Sequence, residues 1–265
     1  MKRTYSAFLL DIDGTLLDQE GKLSNRTAKA VQKAVFRGFK VFLTTGRSVS
    51  GALKLHQDLK LDTPCICFNG LVIYCPKESK YLKLRELPVD SISPLKEWAK
   101  TLAQFFFVTT KDCYYTVPNG NSAQDELIAL IGNVNSVHSF EGLPEKEVVK
   151  IQCCCTEDEL ERINERLIDS PWKESIQTSL FSINVIPGLE EFPLCYLDFE
   201  IANDGKASAV EFLEQHYHIP AKEIIAIGDE INDLPMLQRA GLSVAMGNAN
   251  PILLDFADQV IGSNR

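Results

Sequence analysis

Short apolar runs alternate with amphipathic segments in the first part of the chain. Residues 7–10 are wholly apolar and stop at Asp11, a pattern typical of a strand that is buried on both faces of a parallel sheet. Ser24 precedes a segment whose apolar residues recur at helical spacing, and Gly38 follows that segment. Since serine caps helix starts and glycine follows helix ends, the sequence predicts a helix between them.

The same alternation continues to residue 74 and resumes near the C-terminus. The Asn69-Gly70 pair predicts a tight hairpin turn that leads into a strand at 71–74. Strands that alternate with helices predict right-handed crossovers and an α/β fold with a doubly wound parallel sheet. The other predicted elements are strands at 41–43 and 65–68, a helix through Leu53 and Leu59, helices at 206–216 and 234–240, a strand at 224–227 and a short strand around Val244.

The middle of the chain has a different order of elements. It lacks the regular alternation, and its candidates are helices at 95–103 and 157–168 and strands at 105–108, 114–117, 148–155 and 182–186. A segment of this kind between two alternating halves predicts an inserted domain with its own core. We therefore expect a doubly wound core at 1–83 and 197–265 with an inserted α+β cap domain at 84–196.

Composition and charge narrow the class of protein. With 265 residues, 45% of them hydrophobic and 24% charged, the chain has the composition of an ordinary globular protein. The 27 basic residues against 36 acidic ones give a net charge of -9, which argues against a nucleic-acid partner. The apolar run at 7–10 is too short for a signal peptide, and no run reaches membrane-spanning length, so we expect a cytoplasmic protein without a membrane partner.

Eight cysteines raise the question of disulfides or a metal centre. They are spread over a long chain, and the run Cys153-Cys154-Cys155 lies among apolar residues. Cys65 and Cys67 are spaced for one face of a strand, but no second pair of cysteines or histidines completes a zinc site. The sequence therefore predicts buried structural thiols.

Polar residues end each apolar run at the place where doubly wound folds bind ligands, outside the carboxyl ends of the strands. Asp11 and Asp13 share a side as long as the strand continues, because residues two apart point the same way. If Asp229 joins them from another strand, three carboxylates converge, and they all stay ionised only with a cation such as Mg²⁺; otherwise one of them takes up a proton. The alternative is that Asp11 and Asp13 only end a strand and cap the next turn.

Further residues at these strand ends suit a phosphate group. The Thr45 hydroxyl and the unobstructed Gly46 N–H can hold phosphate oxygens, and Asn232 can donate another hydrogen bond. Lys206 begins a predicted helix, where its charge opposes the positive end of the helix dipole. A solvated lysine is the alternative, but a cleft that holds carboxylates and an anion needs positive charge.

These residues, taken together, resemble the four motifs of the haloacid dehalogenase superfamily of phosphatases. The matching segments are Asp11-Ile12-Asp13-Gly14-Thr15-Leu16, Thr45-Gly46-Arg47, Lys206 and Gly228-Asp229-Glu230-Ile231-Asn232-Asp233. The inserted segment and Asn69-Gly70-Leu71 are similar to those of Cof-type, class IIB members. The resemblance covers the chain from Phe8 to Ile261. Among its departures from the family pattern, Ala207 follows the lysine where the family usually has glycine.

The resemblance implies a two-step phosphoryl transfer that depends on Mg²⁺. Asp11 is then the nucleophile, and Asp13 is the general acid and base that also binds the ion through its backbone carbonyl. Asp11 and Asp229 supply carboxylate ligands, with Asp233 and Glu230 supporting them from outside the coordination sphere. The phosphate ligands implied by the resemblance, together with the ion, are Thr45, Gly46, Lys206 and Asn232.

The sequence gives less information about the substrate than about the catalytic residues. By motif position, Arg47 and Asn69 are expected to contact the phosphate or the leaving group, while a surface ion pair with an acid is an equal alternative for Arg47. The resemblance implies a phosphorylated sugar or similar small metabolite, a cap that closes over the site, and a monomer or small homo-oligomer.

Three other functions compete with this interpretation. A phosphosugar mutase of the same superfamily would use the same pair of aspartates. A non-catalytic binding protein could keep the fold, although every motif side chain is present. A signalling receiver domain also phosphorylates an aspartate, but such domains lack the insertion and the second aspartate.

Overall fold

A computed structural model describes residues 4–18, 20–131, 133–183, 189–202 and 205–263. The chain divides into two compact units. The first contains the described residues up to Leu84 and from Gly205 onwards, and the second runs from Arg85 to Ala202. In chain order the elements are β1 (Ala7–Leu10), α1 (Asn25–Phe36), β2 (Lys40–Leu43), α2 (Val49–Asp58), β3 (Cys65–Cys67), β4 (Val72–Cys75), β5 (Lys80–Leu84), α3 (Val89–Leu102), β6 (Phe105–Thr110), β7 (Tyr114–Thr116), α4 (Ser122–Ile131), β8 (Val134–Ser136), β9 (Val148–Cys155), α5 (Glu157–Ile168), β10 (Ile176–Ser182), β11 (Cys195–Ile201), α6 (Ala207–Tyr217), β12 (Ile224–Gly228), α7 (Leu234–Arg239), β13 (Leu242–Ala245), α8 (Pro251–Phe256) and β14 (Gln259–Val260).

The first unit is built on a five-stranded parallel sheet in the order β14-β13-β12-β1-β2. Its inner strands are apolar because both faces are covered, and Leu9 and Ala226 are fully buried in one core with Leu213 of α6. Helices connect successive strands, so the predicted α/β class with a doubly wound parallel sheet is confirmed. This order places the carboxyl ends of β1 and β12 side by side.

The third predicted strand starts a small antiparallel sheet in the order β3-β4-β5. A single parallel bridge from Thr44 to Ile66 connects it to the end of β2. In place of a tight hairpin turn, a 3₁₀ turn at Phe68–Gly70 joins β3 to β4. Gly70 has φ +91°, and a Cβ there would lie 2.0 Å from Ser208 Oγ, so both conformation and space require glycine.

The second unit is an α+β domain around a six-stranded sheet in the order β10-β11-β9-β6-β7-β8. Helices α3 and α5 pack on one face, where Leu95 and Ile163 contact the side of the sheet that carries Cys153. On the other face, Leu127 of α4 packs against Phe107. The sheet is antiparallel except for the β7–β8 pair.

The end of the second unit lies later than the sequence predicts. Residues 197–201 belong to β11, which pairs with β9 along its length, so the expected boundary after residue 196 falls inside a strand. Of the strand expected at 182–186, Ser182 is the last residue of β10 at Ile176–Ser182, and residues 184–186 lie outside the described residues. The sequence of β11 alone does not show its unit, because the strand it pairs with, β9, lies about 40 residues earlier in the chain.

A proline explains another difference. The sequence predicts a helix from 95 to 103, but α3 begins at Val89 and includes Pro94. Proline normally marks a helix start because it lacks an N–H and crowds the preceding turn. Here it lies in the second turn of the helix, so the true start is earlier.

The cysteines of the described residues are free thiols, and all except the partly exposed Cys195 are buried. This agrees with the prediction of structural thiols. Burial raises the pKa of the Cys65 thiol to about 12, which keeps that sulfur protonated at neutral pH. No helix in the described ranges combines the length and the apolar character needed to cross a bilayer.

Candidate active site

Asp11 directly follows β1, at the carboxyl edge of the sheet where β12 also ends, and its side chain is buried. The Asp11 N–H donates to the Ile227 carbonyl, which holds the two strand ends together. Asp11 is only 4% exposed, whereas Asp13 lies in the exposed turn that follows. The two aspartates therefore occupy different environments although they are only two residues apart.

Lys206 lies immediately before α6 and is 1% exposed. Its Nζ donates to Asp11 Oδ1 at 2.6 Å and to Asp233 Oδ1 at 2.5 Å. Burial alone would lower the pKa of the Lys206 ammonium, but the adjacent charges of Asp11 and Asp233 outweigh burial and raise it above the ordinary lysine value. The lysine is thus a fixed, buried cation, and the alternative of a solvated lysine is wrong.

Asp229 completes a buried cluster of three carboxylates. One oxygen each of Asp11, Asp229 and Asp233 lie within 4.8 Å of one another. Thr15 Oγ1 donates to Asp229 Oδ1 at 2.9 Å. Gly14 has φ +75°, and a Cβ there would lie 1.9 Å from Asp229 Oδ2, so this glycine makes room for the carboxylate.

The charges in this cluster do not balance. Three carboxylates and the Lys206 ammonium would leave a net charge of -2 in a buried place if all were ionised. Burial accordingly raises the pKa of Asp229 to about 6, and Asp233 adds to the rise while the Thr15 hydrogen bond opposes it. Burial likewise raises the pKa of Asp11 well above its usual range. The cluster therefore holds a proton or a cation.

A divalent, oxygen-preferring ion fits this set of donors. Both Asp233 oxygens are already engaged, since Oδ1 accepts from Lys206 while Oδ2 accepts from the N–H groups of Asp229 and Glu230 at 2.9 and 3.0 Å. Asp233 thus accepts three hydrogen bonds, whereas Asp229 accepts two and Asp11 one from the described side chains, so Asp11 and Asp229 are the carboxylates better able to bind Mg²⁺, which commonly uses one or two. Asp233 stays a residue predicted to support them from outside the coordination sphere.

The candidate phosphate ligands lie on neighbouring turns. Thr45 is 1% exposed, and its carbonyl accepts a hydrogen bond from the Asn69 N–H at 2.9 Å. Asn232 Nδ2 donates to Asn69 Oδ1 at 3.2 Å. A Cβ at Gly46 would lie 3.4 Å from that same oxygen, so the backbone at 46 approaches the pair closely. The structure thus brings together four of the residues that the sequence singles out.

Arg47 forms a two-point ion pair with Asp13. Its Nε donates to Asp13 Oδ2 at 2.8 Å and its Nη2 donates to Oδ1 at 2.5 Å. The side chains are 37% and 57% exposed, so the pair is at the surface and contributes little to stability. This is the ion pair with an acid that the sequence left as an alternative for Arg47, and the acid is the second aspartate of the motif.

Two contacts of Asp229 were not predicted. Thr15 belongs to the first motif but was given no role, and Asn248 was not singled out. Asn248 follows β13, so it lies at the same carboxyl edge of the sheet as the motif residues. The rule that polar residues at strand ends form the site would have found it, had it been applied to the strand around Val244.

The chain is similar to known proteins over nearly its whole length. The chain is 26% identical over 276 residues to the 5-amino-6-(5-phospho-D-ribitylamino)uracil phosphatase YitU of Bacillus subtilis, with 96% of this chain and 91% of that protein covered. A haloacid dehalogenase-like hydrolase structure from Bacteroides thetaiotaomicron is 23% identical with a TM-score of 0.83 and covers 98% of this chain and 95% of its own.

A second solved structure, described as a sugar phosphatase of HAD subclass IIB, is 22% identical with a TM-score of 0.76 and covers 97% of this chain and 94% of its own. These two structures confirm the predicted core with an inserted cap. The family model for haloacid dehalogenase-like hydrolases matches residues 8–265, which include all four motifs and the insertion. The chain therefore belongs to the haloacid dehalogenase-like hydrolase family, and it is an enzyme of that family, as its motifs predict.

Proposed function

We propose that this enzyme is a Mg²⁺-dependent phosphomonoester hydrolase that acts on a small phosphorylated metabolite through an aspartyl-phosphate intermediate. The observation that carries the proposal is the contact of Lys206 with Asp11 inside the acidic cluster. A lysine that is buried between carboxylates fixes the orientation of Asp11 and supplies positive charge where a phosphate would enter. This cluster has three carboxylates for one ammonium, one more than the buried group of Lys150, Asp198 and Glu200 in the second unit.

In the first step, a carboxylate oxygen of Asp11 attacks phosphorus and the bond from phosphorus to the leaving oxygen breaks. Asp13 gives its proton to the departing alkoxide. Asp13 is available for this task because its side chain lies outside the three-carboxylate cluster. Its ion pair with Arg47 must open for the carboxyl group to hold that proton, because the guanidinium pairs with the carboxylate form.

In the second step, Asp13 takes a proton from water, and the water oxygen attacks the phosphorus of the aspartyl phosphate. The bond from phosphorus to Asp11 then breaks, which releases inorganic phosphate and restores the carboxylate. The Arg47 guanidinium pairs with the ionised form of Asp13, which is the form needed to accept this proton.

Charge stabilisation supplies most of the rate in phosphoryl transfer. Lys206, the Thr45 hydroxyl, the Gly46 N–H and the Asn232 amide are the groups of this chain that would hold the phosphoryl oxygens. Asp11, Asp229 and the Asp13 carbonyl would hold Mg²⁺, which, when bound, neutralises charge on the phosphate and on the cluster.

The substrate class is taken from the names of two similar proteins. One of them is named for a phosphate ester on a ribityl chain, and a structural neighbour is described as a sugar phosphatase. We therefore propose a phosphate ester of a sugar or a sugar-derived chain. The Asn69 side chain, which contacts Asn232, is the group that we assign to the leaving-group side of the phosphate.

The test is phosphate release from an aryl phosphate and from a panel of phosphorylated sugars, with and without Mg²⁺. We expect turnover only with the ion, and we expect Asp11→Asn to abolish it while the circular dichroism spectrum is unchanged. Asp255→Asn, a change at an exposed aspartate of α8, is the matched control and should keep full activity. Steady-state turnover by Asp11→Asn would remove Asp11 as the nucleophile.

A mutase would use the same first step but return the phosphoryl group to the sugar. Incubation with a hexose 1-phosphate separates the two functions, since a hydrolase releases inorganic phosphate and a mutase yields the 6-phosphate. Absence of both products from every substrate, with Mg²⁺ bound, would favour a non-catalytic binding protein.

A further inference from the structure

We propose that Asn248 is a positioning residue for the metal site, which holds the Asp229 carboxylate in place and offers a hydrogen-bond acceptor to water around the ion. The inference rests on the proposed Mg²⁺ dependence. Asn248 lies after β13, outside the four motifs, and its side chain reaches both the first-motif turn and Asp229.

Two contacts define the orientation of the Asn248 amide. Its Nδ2 donates to the Gly14 carbonyl at 3.0 Å and to Asp229 Oδ2 at 3.3 Å. Both partners are acceptors only, so the NH₂ group must face them, and an amide turned the other way would bring oxygen against oxygen. The orientation of Oδ1 is fixed by the same contacts.

The Asp229 carboxylate is therefore held at both oxygens. Thr15 donates to Oδ1 at 2.9 Å and Asn248 donates to Oδ2 at 3.3 Å. The Gly14 carbonyl, bonded to the same amide, ties this carboxylate to the turn that follows Asp11. Because the two ligand-bearing segments lie more than 200 residues apart, Asn248 acts as a direct link between them.

The other end of the amide, Asn248 Oδ1, is the acceptor that we assign to water around the ion. Asn248 Oδ1 is buried and accepts no hydrogen bond from any residue that the structure describes. A buried acceptor without a donor is costly, and the usual solution is an ordered water. Mg²⁺ keeps several waters when bound to protein carboxylates, so its hydration shell is the source of donors beside Asp229.

The test compares Mg²⁺ binding by metal-free wild-type enzyme and Asn248→Ala, measured by calorimetry. We expect the variant to bind roughly 10- to 100-fold more weakly, the usual loss when a partner of a metal ligand is removed. Raising the Mg²⁺ concentration should then restore most of kcat for an aryl phosphate, because the catalytic groups themselves are intact. A loss of fold alone would not produce this split between metal affinity and kcat.

Asn250→Ala is the matched control. Asn250 lies in the same loop, but its Oδ1 caps α8 by accepting from the Ile252 N–H at 3.1 Å and its side chain has no bond to the cluster. This variant should lose about 1 kcal/mol of stability as a helix cap and keep wild-type Mg²⁺ affinity. If Asn248→Ala does not fold, Asn248→Ser carries the same test, since a serine is too short to bond both partners.

The outcomes separate this inference from the proposed function. If the wild-type enzyme binds no Mg²⁺, the proposed function fails. If the wild type binds and Asn248→Ala binds equally well, the role of Asn248 is overturned while the proposed function stands. Equal losses in Asn248→Ala and Asn250→Ala would also overturn it, because the effect would then come from the loop as a whole.

Discussion

Lys206 and Asp11 are 195 residues apart in the sequence, and their side chains meet at 2.6 Å in the buried cluster. The lysine also bonds Asp233, so a single ammonium holds two carboxylates. Removing one member of such a buried group leaves the others without a partner, which is far more costly than removing the whole group.

We therefore expect Lys206→Met to lose both activity and stability. Without the ammonium, the three buried carboxylates lose the cation that bonds directly to two of them, and the cost should be about 3–5 kcal/mol in the free energy of unfolding. Urea unfolding of the metal-free protein measures it. Lys54→Met, at an exposed position of α2, is the control and should change stability little. A Lys206 variant as stable as this control would contradict the account of the cluster.

Asp13→Asn should affect substrates unequally. An asparagine cannot give a proton to the leaving oxygen, so kcat for an alkyl phosphate should fall roughly 10²- to 10⁴-fold, the range for loss of general acid catalysis. The loss for a nitrophenyl phosphate should be smaller, because that leaving group departs without a proton. The ratio of the two losses is the readout, and equal losses would mean that Asp13 has no role as the acid.

Binding of Mg²⁺ should depend on pH through Asp229. Its pKa is about 6 in the folded metal-free protein against an ordinary value of 3.8, because burial and Asp233 disfavour the carboxylate. The protonated carboxyl thus stabilises the metal-free fold fully below 3.8, and that contribution is lost as the pH rises through 6.

Mg²⁺ binds the ionised carboxylate, so the stability that the ion adds increases with pH, whereas the contribution of the protonated carboxyl to the metal-free fold decreases with pH. The rise in Tm caused by Mg²⁺ should therefore be large at about pH 7.5 and small at about pH 5. Thermal unfolding in both buffers, with and without the ion, measures it. A rise in Tm that is the same at both pH values would show that Asp229 does not ionise upon binding.

Gly14 and Gly21 offer a matched pair of substitutions. Both have positive φ, +75° and +69°, but a Cβ at Gly21 meets nothing within 4 Å while one at Gly14 strikes the Asp229 carboxylate. Gly21→Ala should cost about 1 kcal/mol for the backbone alone. Gly14→Ala should cost more and weaken Mg²⁺ binding as well, which calorimetry would detect. Equal behaviour of the two variants would contradict the close approach at Gly14.

The second unit contains its own buried ion group. Lys150 Nζ lies 2.8 Å from Asp198 and 2.6 Å from Glu200, all within the sheet and all buried. Lys150→Met should destabilise the protein by about 3–5 kcal/mol, because two carboxylates remain without a counter-charge. Adding Asp198→Asn and Glu200→Gln to that variant should recover much of the loss. Lys22→Met, which breaks an exposed pair with Glu20, is the control and should change stability by less than about 1 kcal/mol.

The strands of the parallel sheet and the residues at their ends could be predicted because each strand is a short apolar run that stops at a polar residue. The apolar run at 7–10 stops at Asp11, and the run at 224–227 stops near Asp229, so each segment shows that a strand ends in a carboxylate. Lys206 could be predicted beside them because a cleft of carboxylates needs positive charge, and the resemblance to a family supports that position, although nothing near Lys206 in the sequence indicates burial.

Other features depend on contacts that no local pattern shows. The ion pair between Arg47 and Asp13 and the bond from Asn248 to Asp229 join residues on different turns. The predicted boundary after residue 196 cuts through β11, because the pairing of β11 with β9 determines the unit to which it belongs. The tertiary partner, and not the sequence of the strand itself, decides such cases.

The position of β1 in the sheet has a consequence for synthesis of the chain. Ala7 pairs with Lys40 on one side and with Ile224 on the other, so one neighbour of β1 is made early and the other near the end. Until β12 leaves the ribosome, a central strand presents an open row of backbone donors and acceptors beside apolar side chains. Nascent chains that stop before residue 224 should therefore aggregate or need a chaperone, even when most of the protein has been made.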